Sequence, residues 1–166
     1  MTGIFLLVDD SLISMKMLFK QVTKILCPES LERSDKLKSI ASDELWQQQG
    51  FLIELRGEQG IVCAANGRVA YEIAKILPIR ATITDYEMPI MTGMDLIMAI
   101  RKLERNESRT RMRIALNTAL LVSNLTSIVS SEIDVVIQKG DRTNMMSEFF
   151  EPICGVSQKR SQAALP

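Results

Sequence analysis

"ITDYEMPIMTG", residues 83–93, closes an apolar run on a single acid, Asp85, and follows it with Pro89 and Gly93. A strand buried on both faces needs only turn residues at its end, so an acid there either opens a turn or has chemistry to do. Three other stretches bear on the choice: "LLVDDS" (6–11), "ALNTA" (115–119) and "VVIQKG" (135–140). Each is a short apolar run that stops abruptly at polar residues. Apolar runs of this length suit buried strands, and helical spacing fills the chain between them.

Working outward, Ile4–Val8 is the first strand, and Leu12, Met15, Leu18/Phe19, Val22 and Ile25/Leu26 mark a helix with Ser11 as its N-cap. Residues 60–67 read as the next strand of the same kind, followed by a helix through Val69/Ala70 and Ile73/Ala74 that Pro78 stops. Ile79–Thr84 is a strand, Met94, Ile97 and Ile100–Leu103 a helix, and Ile114–Asn117 a strand. A Ser-rich helix spans about 120–131, Ile133–Gln138 is the last strand, and Met145/Met146 with Phe149/Phe150 mark the closing helix. The methionines at helical spacing, among them Met88, Met91, Met94 and Met98, read as core filler. Five βα units result: an α/β fold with a parallel sheet between helices.

An insertion at about 28–59 interrupts the rhythm, since such a connection needs only a few residues. Leu37, Ile40/Ala41 and Leu45 predict an added helix, with Trp46 in the core of the insertion. "FLIEL" (51–55), turned by "RGEQG" (56–60), predicts an edge hairpin. The domain is expected over 1–154, with 155–166 a mobile tail that carries no periodic apolar face.

Composition excludes several function classes. At 166 residues, with 46% hydrophobic and 24% charged, the chain fills one core without disulfides or metals. Twenty basic residues balance twenty acidic ones, so no global field draws in nucleic acid or an anionic membrane. The run Arg105–Arg113 reads as a solvated loop. Cys27, Cys63 and Cys154 form no CxxC pair, which suits reduced thiols in the cytoplasm. "IFLLV" (4–8) is too short for a membrane span or a signal core. The chain has no histidine, which removes the usual general base and any phosphohistidine of its own.

In an open parallel sheet, the residues that finish the strands gather at the carboxyl edge, where ligands bind. Asp9, Asp10, Asp85, Thr118 and Lys139 then share one site: three carboxylates, a hydroxyl and an ammonium. Clustered carboxylates repel unless a cation neutralises them, and oxygen ligation suits Mg2+, with Mn2+ as the alternative, rather than zinc. With such an ion seated, a carboxylate attacks a phosphoryl group while the lysine spreads the developing charge. The product is an aspartyl phosphate.

These four motifs, in this order, resemble those of a response-regulator receiver domain, the phosphoacceptor half of bacterial two-component signalling. "TDYEMPIMTG" (84–93) matches the family's D-x-x-M-P-x-M-x-G segment at every named position. The resemblance implies a flavodoxin-like, doubly wound, five-stranded parallel sheet of order 2-1-3-4-5. It implies Asp85 as phosphoacceptor, Asp10 and Asp85 as direct Mg2+ ligands, Asp9 as a ligand through water, and the backbone carbonyl of Glu87 completing the metal site. Thr118 is implied as hydrogen-bond donor to the phosphoryl group and Lys139 as its ion-pair partner. The implied partners are a sensor histidine kinase or a histidine phosphotransfer protein, with output through binding a further protein and no catalysis beyond the chain's own phosphorylation and dephosphorylation.

Two positions depart from the family pattern. Val136 stands where receivers usually carry an aromatic switch residue, and Gly140 where a proline usually follows the lysine. Glu87, two residues past Asp85, reads either as an acid that steers or repels attacking water or as a solvated surface acid. Two other functions compete: a binding module that works without phosphorylation, and a Mg2+-dependent phosphatase with an aspartyl nucleophile. The phosphatase wants a D-x-D motif, whereas Asp9 and Asp10 are adjacent.

Overall fold

The structure, a computed structural model, describes residues 3–26, 51–54, 59–119, 131–140 and 144–154. Its elements are β1 (Gly3–Val8), α1 (Leu12–Leu26), β2 (Phe51–Glu54), β3 (Gln59–Ala64), α2 (Gly67–Ile76) and β4 (Ile79–Asp85), followed by α3 (Gly93–Asn106), β5 (Arg113–Thr118), β6 (Val135–Gln138) and α4 (Asn144–Cys154). They form one sheet of order β2-β3-β1-β4-β5-β6. The last five strands of that order are parallel and reproduce the doubly wound 2-1-3-4-5 arrangement. β2 adds an antiparallel edge, Leu52 level with Val62, so the edge hairpin is present.

Strand side chains alternate between faces, and the parallel strands here are apolar on both. Phe5, Leu7, Ile61, Ile83 and Ile137 pack beneath Met15, Leu18, Phe19 and Val22 of α1 and Phe149 and Phe150 of α4. On the other face Leu6, Val8, Val62, Ile114 and Leu116 pack against Ala70 and Ala74 of α2 and Leu96, Ile97 and Ile100 of α3. Each fully buried Leu, Ile or Phe contributes about 1.5–3 kcal/mol. The caps fix where helices begin at the carboxyl edge. Ser11 Oγ accepts from Ser14 N at 3.3 Å, Asn66 Oδ1 from Val69 N at 3.0 Å, and Thr92 and Asp95 form a reciprocal capping box.

Three local expectations change. The last strand begins at Val135 rather than Ile133, because Asp134 Oδ2 itself accepts Ile114 N at 2.8 Å and stands in for a ladder bond. The Arg105–Arg113 loop is not simply solvated: Arg109 donates to Ala74 O and Lys75 O, both at 2.8 Å, and so satisfies the end of α2. Met88 and Met146 are buried, but Met98 is exposed on α3. The added helix near 37–45, Trp46, most of the 120–131 helix and the 155–166 tail lie outside the described residues. Among the described residues no helix is long and apolar enough to cross a membrane.

Candidate functional site

β1 and β4 are neighbours in register, Val8 level with Thr84, so the next residue of each, Asp9 and Asp85, arrives at the same height on the carboxyl edge. Asp9 and Asp85 are buried and Asp10 is exposed. One carboxylate oxygen from each of the three lies within 4.8 Å of the others. β6 brings Lys139 to the same place: its Nζ is 2.6 Å from Asp85 Oδ2 and 3.6 Å from Asp9 Oδ2. Lys139 is fixed at its backbone too, its N–H donating to Thr118 O at 2.7 Å.

The Asp85 carboxylate is therefore held at both oxygens, Oδ1 by the Tyr86 amide at 2.8 Å and Oδ2 by the ammonium. Asp9 is held at one only. Its Oδ1 accepts the Ser11 amide at 2.9 Å, while its Oδ2 is buried with no hydrogen-bond partner. The Lys139 ammonium at 3.6 Å attracts that oxygen but stands beyond hydrogen-bond reach. Burial pushes the Asp9 carboxyl up from 3.8 to about 6; the Ser11 amide and the Lys139 charge oppose the rise, and Asp85 and Asp10 add to it. For Lys139, burial disfavours the charge, but the hydrogen bond to Asp85 and the charges of Asp9 and Asp85 outweigh it, and its pKa rises above 10.5.

An unpartnered buried carboxylate oxygen among three hard oxygen donors is the environment a small divalent cation completes, so these residues fit Mg2+. A cation there would supply the missing partner and offset the burial and the neighbouring charges that raise the Asp9 carboxyl.

The loop after Asp85 explains the residues that follow it. Gly93 N donates to Tyr86 O at 2.9 Å, and any Cβ at Gly93 would overlap the carbonyl oxygen of Asp85. Only glycine lets the helix start so close to Asp85. Met88 is buried and pins the loop, whereas Glu87 and Pro89 are exposed. Ile90 is held at φ 71 with its side chain 77% exposed, a conformation that costs a β-branched residue about 1–3 kcal/mol. Thr118 finishes β5 and is buried. Val136 packs partly buried against the cluster holding Leu116, and Gly140, at φ 102, has open space where a side chain would stand. The Ser11 and Tyr86 amides were not legible in the residue pattern, because backbone donors carry no residue signature.

Neither protein-family models nor curated protein sequences match the chain. Solved structures do. The response regulator TrrA of Thermotoga maritima, in complex with Mg2+ and BeF, is 20% identical, with 92% of this chain and 99% of that one covered at a TM-score of 0.57. A co-crystal of the Saccharomyces cerevisiae phosphotransfer protein Ypd1 with the receiver domain of the response regulator Ssk1 matches at 16% identity, 96% and 94% coverage and a TM-score of 0.61. The fold is that of a response-regulator receiver domain. The Vibrio cholerae chemotaxis protein CheY4 has the same receiver fold at 19% identity, 93% and 98% coverage and a TM-score of 0.52. At these identities the likeness is one of fold, and the chemistry of this receiver-fold chain rests on its own residues.

Proposed function

We propose that this chain is a phosphoacceptor of two-component signalling, taking a phosphoryl group onto Asp85 from a partner's phosphohistidine. The observation that carries the reading is the convergence of Asp9, Asp10 and Asp85 on one point beside Lys139. In the transfer, the donor's P–N bond breaks and a P–O bond forms to an Asp85 carboxylate oxygen, the imidazole leaving with the electron pair. Tyr86 N and Lys139 Nζ orient the nucleophile beforehand.

Asp10 and Asp85, with the Glu87 carbonyl, are the direct ligands we assign to Mg2+, and Asp9 a ligand through water. When bound, the ion neutralises the carboxylates and the oxygens of the transferring group. Lys139 pairs with the phosphoryl oxygens as a point charge, and Thr118 donates a hydrogen bond to them. The partners are a sensor histidine kinase or a histidine phosphotransfer protein, a class represented by Ypd1 in the Ssk1 co-crystal. Output is protein binding in the cytoplasm, and the chain catalyses nothing beyond its own phosphorylation and dephosphorylation. Val136 lacks a polar tip to reorient, so the signal leaves by backbone movement of the loops around Asp85 and Lys139.

Incubation with acetyl phosphate and Mg2+, followed by intact-mass measurement, tests the assignment. One phosphoryl group should add, stable to acid and labile to base, and vanish in Asp85→Asn or with chelator. An unmodified wild type would favour a binding module that works without phosphorylation. Repeated turnover of an external phosphate ester would favour a phosphatase.

A further inference from the structure

β6, the strand that delivers Lys139, has four residues and among the described residues pairs along one edge only, with β5. Buried Ile137 and the bond from Lys139 N to Thr118 O favour one register, and a slip of one residue would turn Lys139 to the other face of the sheet. The residues just before β6 add to that hold. Immediately before β6, Asp134 makes a two-point contact with β5: its N–H donates to Ile114 O at 2.9 Å and its Oδ2 accepts Ile114 N at 2.8 Å. The same Oδ2 accepts Arg101 Nη2 at 3.1 Å.

Arg101, on α3, is 2% exposed and spends its guanidinium on the segments that open β5 and β6. Nε donates to Glu132 O at 3.0 Å, and Nη1 to Met112 O and Glu104 Oε2, both at 2.8 Å. Glu104 Oε1 in turn accepts Met112 N at 2.7 Å. Four groups, one from α3 itself and three from the segments just before β5 and β6, thus close around one cation. A buried ion network gives little net stability compared with apolar packing, and its best-attested use is to select one register over its neighbours.

We infer that Arg101 and Asp134 are positioning residues for Lys139: the buried network locks the β5–β6 register and thereby sets the ammonium over Asp85. The inference deepens the phosphoacceptor reading and rests on it for its functional arm. Mg2+ is assigned to ligands on β1 and β4, whereas a phosphoryl mimic on Asp85 also needs Lys139.

The experiment measures Mg2+ affinity, beryllium fluoride affinity at saturating Mg2+, and cross-strand amide contacts of β6 by NMR. The chains compared are wild type, Asp134→Ala, Arg101→Met and Lys139→Ala, with the double variant Asp134→Ala/Lys139→Ala. The inference predicts that Asp134→Ala keeps Mg2+ affinity within about twofold and weakens beryllium fluoride about tenfold. It also predicts that this loss disappears when Lys139 is already alanine, and that the Leu116–Val136 contact shifts or broadens. Asp134→Asn, whose carboxamide oxygen still accepts from Ile114 and Arg101, should behave as wild type. Equal losses for both ligands, or a beryllium fluoride loss that persists without Lys139, would mean a merely structural role. An unchanged Leu116–Val136 contact in both Asp134→Ala and Arg101→Met overturns the inference whatever the protein binds. If wild type binds neither ligand, the phosphoacceptor reading fails, and the NMR arm still decides the register claim.

Discussion

The two edges of the sheet treat charge in opposite ways. At the amino edge three arginines, Arg101, Arg105 and Arg111, meet three acids, Glu104, Glu132 and Asp134, and the central guanidinium is buried with each of its nitrogens bonded, while Arg113 Nε at the start of β5 is buried without an acceptor. At the carboxyl edge three carboxylates face one lysine, and Asp9 Oδ2 is buried without a donor. A balanced network holds segments in place. An unbalanced one leaves repulsion that a cation would relieve, and the strained Ile90 lies in the same loop as Asp85. Position is secured at one edge and charge is admitted at the other.

The comparison breaks most completely at Asp85. Asp85→Asn should abolish phosphoryl uptake, a loss of at least about a hundredfold, because among the described residues no other carboxylate at this edge is held at both oxygens; intact mass with acetyl phosphate reads it. Next comes Arg101→Met, which leaves Glu104 and Asp134 facing each other without their cation. Breaking a buried network from one side costs about 3–5 kcal/mol, visible in the urea midpoint.

Asp9 sharpens the contrast through pH. Its carboxyl titrates near 6 in the folded chain against 3.8 ordinarily. Between those values the folded state binds more protons than the unfolded one, so metal-free stability falls as pH rises from about 4 to about 6 and this contribution then levels off. Asp9→Asn should flatten that decline. Protons also compete with the cation, so Mg2+ affinity should weaken as pH drops below about 6, by up to about tenfold per unit. The smallest effect belongs to Ile90→Gly, which relieves a left-handed φ and should stabilise the fold by about 1 kcal/mol in urea unfolding.

Much of the carboxyl edge could be read from the sequence because its information is local. Each strand is a continuous apolar run, and Asp9, Asp85, Thr118 and Lys139 stand where such runs stop. The hairpin at Phe51 was legible for the same reason. The amino edge was not. Arg101 sits within the apolar face Ile97–Ile100–Leu103, and its i+3 spacing to Glu104 reads as an ordinary surface pair. Its burial depends on Glu132 and Asp134, about thirty residues later in the chain. Ile133 fits a strand by its apolar side chain, but the ladder starts at Val135, and at Asp134 the carboxylate takes one of the two bonds to Ile114. Arg109 was assigned to solvent because no sequence pattern tells that a loop arginine will meet the end of α2.

Calorimetric titration with Mg2+ at neutral pH, on wild type and on Asp10→Ala, tests the unbalanced carboxyl edge most directly. The account predicts one ion per chain, taken up with release of protons from Asp9 as the pH approaches 6, and no uptake in the variant. Absence of binding at millimolar Mg2+, or binding that survives loss of Asp10, would contradict it.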